Sequence, residues 1–203
     1  MSAQHRIWFI TGCSSGFGLS LAAAVLARGH CVIATARKLE QLDELVAAYP
    51  ETCLALALDV TDSAQVKMAV ARARYAYGRL DIIVNNAGYG LVGALEELGD
   101  EQIARNFDTN FFGALEVIRA ALPILRAQHS GHIVNISAAA VISNYAGFSI
   151  YGASEVGVRR RVGIVRRRTK AAWHQSCHRA AGTVSHRVQR SNARKTTSPT
   201  TTD

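Results

Sequence analysis

Short, continuous apolar runs alternate along the chain with longer stretches in which apolar residues recur at helical spacing. Five of the short runs are rich in Val, Ile, Leu and Ala, which is typical of strands buried on both faces of a parallel sheet. They occupy residues 7–10, 31–36, 53–58, 80–84 and 131–137. We predict an α/β fold, in which helices cover both faces of a doubly wound parallel sheet that is truncated after the fifth strand. A long helix is predicted from Asn106 to Leu125.

A glycine-rich loop joins the first predicted strand to a helical stretch that continues to Ala27. This strand, loop and helix follow one another as in Rossmann-type folds, where the backbone of the loop approaches a pyrophosphate. A glycine-rich loop without a ligand is the alternative. The loop residues that we expect to hold a dinucleotide are Gly12, Ser14, Ser15, Gly16, Phe17 and Gly18.

The second predicted strand ends at Ala36 and continues into Arg37 and Lys38, without a carboxylate. In dinucleotide-binding folds an acidic residue at this place binds the ribose 2′-hydroxyl, whereas a nearby arginine suits a 2′-phosphate. We therefore expect NADP rather than NAD, with Arg37 as the residue that selects it. A solvated basic loop is the alternative.

Two further motifs follow the fourth and fifth predicted strands. Asn85-Asn86-Ala87-Gly88 comes after the fourth strand, and Tyr151-Gly152-Ala153-Ser154 lies beyond the fifth. Together with the loop Thr11-Gly12-x-x-x-Gly16-x-Gly18, these segments resemble the short-chain dehydrogenase/reductase family over about residues 5–154. The resemblance implies hydride transfer between NADP(H) and a small-molecule carbonyl or secondary alcohol.

The resemblance also implies roles for individual residues. Tyr151 would be the general acid and base, and Asn110 would help to hold a proton-relay water. A buried, satisfied core amide is the alternative for Asn110, and an aspartate that only ends a strand is the alternative for Asp59. The remaining residues for which the resemblance implies cofactor contacts are Asp59, Val60, Asn86, Ala87 and Gly88.

The chain departs from the family pattern at two catalytic positions. The position of the family's serine is Ala138, so the nearby Ser137 is the candidate hydroxyl, although neighbouring strand residues face opposite sides of a sheet. The position of the family's lysine, one helical turn after Tyr151, is Glu155. A carboxylate there raises the pKa of the tyrosine, where a lysine would lower it. We therefore expect an impaired catalyst or a non-catalytic nucleotide-binding remnant.

Charge is distributed unevenly along the chain. The formal net charge is +8, and residues 155–203 carry 12 of the 23 lysines and arginines but two of the 15 acidic residues. Neither the family's next long helix nor its next strand is evident in this basic tail. A one-base shift of reading frame after Ser154 would permit a lysine at position 155 and a Pro-Gly motif further on. We interpret residues 1–154 as the NAD(P)-binding domain and 155–203 as an out-of-frame, poorly ordered tail.

The basic tail and the cysteines indicate which partners and which cellular location to expect for this protein. A basic extension can bind nucleic acid through its phosphates. Trp173 is the one aromatic residue of the tail, so bases would stack poorly and we expect no specific nucleic-acid partner. Four cysteines without metal-ligand spacing favour free thiols, no metal site and a cytoplasmic protein. We expect no membrane span and no signal peptide, and we leave a homo-oligomer open.

Overall fold

A six-stranded parallel sheet forms the centre of the computed structural model, which describes residues 5–138, 145–157, 176–181 and 188–190. Its strands follow the order β3-β2-β1-β4-β6-β7. A separate two-stranded sheet pairs β5 with β8. The strands are β1 Ile7–Ile10, β2 Cys31–Ala36, β3 Cys53–Ala57, β4 Ile82–Asn85, β5 Gly90–Val92, β6 His132–Ala138, β7 Ser176–Ala181 and β8 Val188–Arg190.

Helices connect the strands and cover both faces of the large sheet. Short 3-10 turns at Leu39–Leu42 and Leu95–Glu97 precede two of them. The helices are α1 Gly16–Leu26, α2 Asp43–Ala48, α3 Ser63–Tyr77, α4 Asp100–Phe107, α5 Ala114–Ala127 and α6, residues 149–157.

The core has two halves because successive strand residues point to opposite faces of the sheet. Phe9 and Ile83 pack on one face with α3 and α5, whereas Ile10 and Val84 pack on the other with α1 and α2. All four side chains are fully buried. The predicted Rossmann-type sheet with helices on both faces is therefore confirmed.

The helix predicted from Asn106 to Leu125 is interrupted in a way that the sequence did not indicate. A π-helical segment, Asp108–Gly113, lies between α4 and α5. Gly113 at its end packs so closely on the turn after β3 that an added Cβ would lie 2.6 Å from Val60 Cγ2. Segments of π-helix occur frequently at functional sites, and this one carries Asn110.

One strand of the basic tail, β7, corrects the expectation that the sheet stops after its fifth strand, whereas β8 pairs with β5 in the separate sheet. β7 pairs in parallel with β6, from Ile133 opposite Ser176 to Ala138 opposite Ala181. Residues 149–157 are helical as well. Strand pairing satisfies backbone N–H and C=O groups and requires no apolar side-chain pattern, so periodicity gave no signal for β7. The rest of the tail lies outside the described residues, and its poor order stays a prediction.

Candidate functional site

The glycine loop between β1 and α1 adopts a conformation that side chains disfavour. Gly12 has φ +71° and Gly16 has φ +60°, both in the left-handed region. At Gly18 an added Cβ would lie 2.3 Å from the Gly12 carbonyl oxygen and 2.4 Å from Asn86 Nδ2. The glycines therefore let the loop fold back on itself and against the end of β4.

Hydrogen bonds hold this loop to the segment after β4. Thr11 Oγ1 accepts from the backbone N–H groups of Asn86, at 2.9 Å, and Ala87, at 3.0 Å. Asn86 Nδ2 donates to the carbonyl oxygens of Thr11, at 2.9 Å, and Gly12, at 3.0 Å. The Asn86 amide thus bridges neighbouring strand ends, and the segment 86–88 lies beside the loop.

The N-terminus of α1 is exposed at this edge of the sheet. Its N-cap residue Ser15 makes no side-chain capping hydrogen bond, and no acidic residue occupies the first turn. Ser15 and Gly16 are exposed, and Ser14 and Phe17 are half-buried. The first N–H groups of a helix have no partner within the helix and carry partial positive charge, so this end suits an anion such as a phosphate.

The residues that follow β2 and β3 differ in the hydrogen bonds and ion pairs that their side chains make within the protein. Arg37 is exposed and forms no ion pair within the described part of the chain. Asp59 accepts from the backbone N–H of Thr61, at 2.9 Å, and from its Oγ1, at 2.7 Å. Val60 is buried. The local turn therefore engages one oxygen of the Asp59 carboxylate, whereas the Arg37 guanidinium extends from an exposed position.

A small buried cavity lies between the ends of β4 and β6, the π-helical segment and α6. Its volume of about 20 Å³ is enough for one water molecule. Asn110, Ser137 and Tyr151, the three predicted catalytic residues, all line it, and Glu155 does too. The other lining residues are Asn85, Asn86, Ala87, Gly88, Ala114, Asn135 and Ile136.

The Asn110 side chain is fully engaged by the protein. Its Oδ1 accepts from the backbone N–H of Tyr89, at 3.1 Å. Its Nδ2 donates to the Tyr89 carbonyl oxygen, at 3.0 Å, and to Ser154 Oγ, at 3.2 Å. These contacts match the satisfied core amide that was the alternative for this residue. Asn110 thereby joins the segment before β5 to α6, which carries Tyr151.

Tyr151 and Glu155 face the same cavity from successive turns of α6. Burial raises the pKa of the Tyr151 phenol above its usual value of about 10, and the nearby Glu155 carboxylate raises it further. Burial also raises the pKa of Glu155 to about 7, against a smaller opposing effect of the Ser137 hydroxyl. Among the described residues that line the cavity, none is a lysine or an arginine. The site therefore keeps the tyrosine protonated.

Ser137 reaches the cavity despite its unfavourable position in the strand. Its Oγ is buried and makes no hydrogen bond of normal geometry within the described residues, although it lies close enough to influence Glu155. Ala138, at the family's serine position, is buried. The hydroxyl of Ser137 is therefore available to a small group that enters the cavity.

Sequence reasoning missed the pair formed by Asn85 and Asn135. Asn85 Nδ2 donates to Asn135 Oδ1, at 2.8 Å, across the β4–β6 pair, where the two residues are in register. Asn85 Oδ1 and Asn135 Nδ2 are buried without a partner among the described residues. The signal that could have found them is the occurrence of an asparagine near the end of each of two buried strands.

Two negative findings concern the described residues alone. No group of three or more His, Cys, Asp or Glu side chains there is arranged to hold a metal ion. None of the helices described is both long and apolar enough to cross a membrane. Cys13, Cys31 and Cys53 are free thiols, as predicted.

Known proteins resemble this chain in sequence and in structure. Oxidoreductase BOA17 of Botryotinia fuckeliana is 43% identical over 154 residues, which are 75% of this chain and 56% of that protein. A short-chain dehydrogenase from Streptomyces avermitilis superposes with a TM-score of 0.87 and 35% identity, over 96% of this chain and 74% of that one. A metagenomic short-chain oxidoreductase in complex with NADP has a TM-score of 0.81 and 27% identity, over 88% of this chain and 83% of that one.

A family model also matches the chain, although the chain is shorter than the relatives it resembles. The chain spans about half the length of several curated relatives that it matches. The model of the short chain dehydrogenase family matches residues 6–170, which include the glycine loop, the Asn-Asn-Ala-Gly segment and Tyr151. With this match and the shared parallel sheet, the chain belongs to the short chain dehydrogenase family.

Proposed function

We propose that this chain binds NADP(H) and belongs to an oxidoreductase that transfers a hydride between this cofactor and a small carbonyl compound or secondary alcohol. We further propose that the chain itself is an impaired catalyst. The observation that carries the proposal is the cavity in which Tyr151 and Ser137 meet beside segment 86–88.

The edge of the sheet fits a dinucleotide. The left-handed glycines and the exposed, uncapped N-terminus of α1 would hold the pyrophosphate. Arg37, free of ion pairs in the described residues, would hold a 2′-phosphate through charge-assisted hydrogen bonds. Asn86 would keep the loop in place. A neighbour in complex with NADP supports this choice of cofactor.

The proton chemistry would rest on Tyr151 and Ser137. When bound, the nicotinamide would supply or accept the hydride. The Tyr151 phenol would donate a proton to the carbonyl oxygen during reduction, and the Ser137 hydroxyl would donate a hydrogen bond to the same oxygen. Glu155 opposes this chemistry, because its negative charge disfavours the phenolate that remains after the proton has left.

Non-catalytic nucleotide binding is the second candidate, and the Glu155–Tyr151 arrangement favours it. The glycine loop and Arg37 are not among the described residues that line the cavity, so we expect the reversed charge at position 155 to affect turnover more than binding of the pyrophosphate. Both candidates predict that the chain binds NADP(H), but only the first predicts turnover of a carbonyl substrate. A basic-tailed anion binder, the third reading of the sequence, would bind nucleic acid in a salt-dependent manner that residues 155–203 control.

The test combines a binding titration with a turnover assay on the full chain. NADPH fluorescence should report binding to the wild type and equally to Tyr151→Phe, which keeps the ring and removes the hydroxyl. Reduction of a panel of aldehydes and ketones should be slow in the wild type and absent in Tyr151→Phe. Binding without turnover supports the second candidate. Absence of NADPH binding contradicts both, and turnover of about 1 per second or more contradicts the proposed impairment.

A further inference from the structure

A second cavity lies at the edge of the sheet opposite to the glycine loop, where β1, β2, β4 and β6 begin. Its volume is about 520 Å³, within the range of pockets that hold small molecules. We call it the amino-end pocket. The residues of its lining that matter here are His5, Arg6, His30, Arg79, Asp81 and His132.

Parallel pairing brings these basic side chains together from distant parts of the sequence. His30 directly precedes β2, and Cys31 pairs with Ile7 of β1, so His30 lies beside Arg6. His132 is the first residue of β6 and is in register with Ile82 of β4. All strands of a parallel sheet begin at the same edge, so basic residues at strand starts converge there.

The single carboxylate among these six residues is already engaged. Asp81 Oδ1 accepts from Arg79 Nε, at 2.9 Å, and Nη2, at 2.5 Å. Asp81 Oδ2 accepts from the backbone N–H of Ile7, at 2.8 Å. Arg6 has no carboxylate partner in the described part of the chain. The pocket therefore has an uncompensated positive charge at Arg6.

The imidazoles leave ring nitrogens free to bind a ligand. His30 Nδ1 accepts from the Arg6 backbone N–H, at 3.4 Å, which leaves Nε2 to donate. His5 Nδ1 donates to the Gly29 carbonyl oxygen. The ring of His132 makes no hydrogen bond within the described residues. His30 and His132 can therefore each donate a ring N–H to an anion.

We propose that the amino-end pocket binds a small multivalent anion of the phosphate class. A plainer explanation is that the basic groups offset the partial negative charge of the helix C-termini, since α1, α3 and α5 each end before a strand at this edge. That explanation predicts no anion binding. The two therefore differ in a measurable way.

The test is a titration of the full chain with inorganic pyrophosphate, followed by NMR of backbone amides. We expect shifts at Arg6, His30 and His132. Arg6→Gln should weaken this binding about tenfold, because it removes a charged donor. Arg72→Gln, the same change on an exposed helix position outside the pocket, is the matched control and should leave the affinity unchanged.

The same spectra separate this pocket from the glycine loop. Pyrophosphate at the loop would shift the amides of Ser15 to Gly18 and would not respond to Arg6→Gln. If Arg6→Gln fails to fold, His5→Gln replaces it, because the His5 side chain is exposed. Absence of shifts at the strand starts would overturn the proposal. Equal affinities of Arg6→Gln and Arg72→Gln would overturn it as well.

Discussion

Glu155 lies one helical turn after Tyr151, and both side chains face the same buried cavity at the ends of β4 and β6. Burial raises the pKa of each group, and the Glu155 carboxylate adds to the effect on Tyr151. An acid and a phenol that each disfavour ionisation in this way keep the cavity neutral at low pH. The pair therefore determines both the stability and the proton chemistry of the site.

Glu155 should make the chain less stable as pH rises. Its pKa is about 7 in the folded chain against 4.5 for an ordinary glutamate, so the folded state binds more protons between these values. The free energy of unfolding should therefore fall across this window, by about 3 kcal/mol for this group alone. Urea unfolding of the wild type and Glu155→Gln should give equal stabilities near pH 4.5. Near pH 8 the variant should be the more stable.

The matched control for this comparison is Glu51→Gln, the same change at an exposed position. It should leave the pH dependence of stability unchanged, because an exposed carboxylate is well solvated in both states. A difference between wild type and Glu155→Gln that does not vary with pH would refute the argument from burial.

Glu155→Lys should lower the pKa of Tyr151. The change replaces a nearby negative charge by a positive one, which favours the phenolate. NMR of tyrosine ring carbons during a pH titration would follow Tyr151 directly. Glu155→Gln should give an intermediate pKa, since it removes the negative charge and adds none. If Glu155→Gln and Glu155→Lys gave the same pKa for Tyr151, burial alone would control the pKa of this phenol.

Gly18→Ala should destabilise the chain and abolish NADPH binding. An added Cβ would lie 2.3 Å from the Gly12 carbonyl oxygen, so the loop or the Asn86 amide must move. We expect a loss of about 2 kcal/mol in unfolding free energy, typical of overpacking at a buried position. Gly99→Ala is the control, because the nearest atom to its added Cβ is 3.7 Å away. Similar losses in the two variants would contradict the crowding argument.

Arg37→Asp should shift cofactor preference from NADP towards NAD. The change removes the proposed partner of a 2′-phosphate and supplies an acceptor for a ribose 2′-hydroxyl. Calorimetry should show NADPH affinity falling by about tenfold or more while NADH affinity rises. Arg72→Asp, an equal charge change on exposed α3, should alter neither affinity. If the wild type bound NAD more tightly than NADP, the premise that Arg37 selects NADP would be wrong.

Sequence patterns identified most of the fold because its strands are buried on both faces. Buried parallel strands need apolar side chains at every position, so runs such as 7–10 and 31–36 stand out from their surroundings. The glycine loop was equally easy to recognise, since glycine adopts the left-handed conformation at Gly12 without strain and has no Cβ to block the close approach at Gly18.

What the sequence did not reveal depends on contacts between distant residues. The π-helical segment Asp108–Gly113 consists of weaker helix formers than α5, but weak propensity does not identify a π-helical hydrogen-bond pattern. β7 pairs through its backbone and lacks an apolar pattern. Alternation along a strand argued against Ser137 entering the cavity, yet it lines the cavity together with Glu155. Such outcomes follow from tertiary packing, which overrides local preference.

The double hydrogen bond from Asn86 to the carbonyl groups of Thr11 and Gly12 has a consequence for the thermodynamics of binding. Because the protein itself fixes the loop, the loop loses its conformational entropy during folding rather than during association. A dinucleotide would therefore meet a preorganised cradle. Changes at position 86 should weaken affinity through a larger entropic penalty, even if the asparagine never touches the ligand.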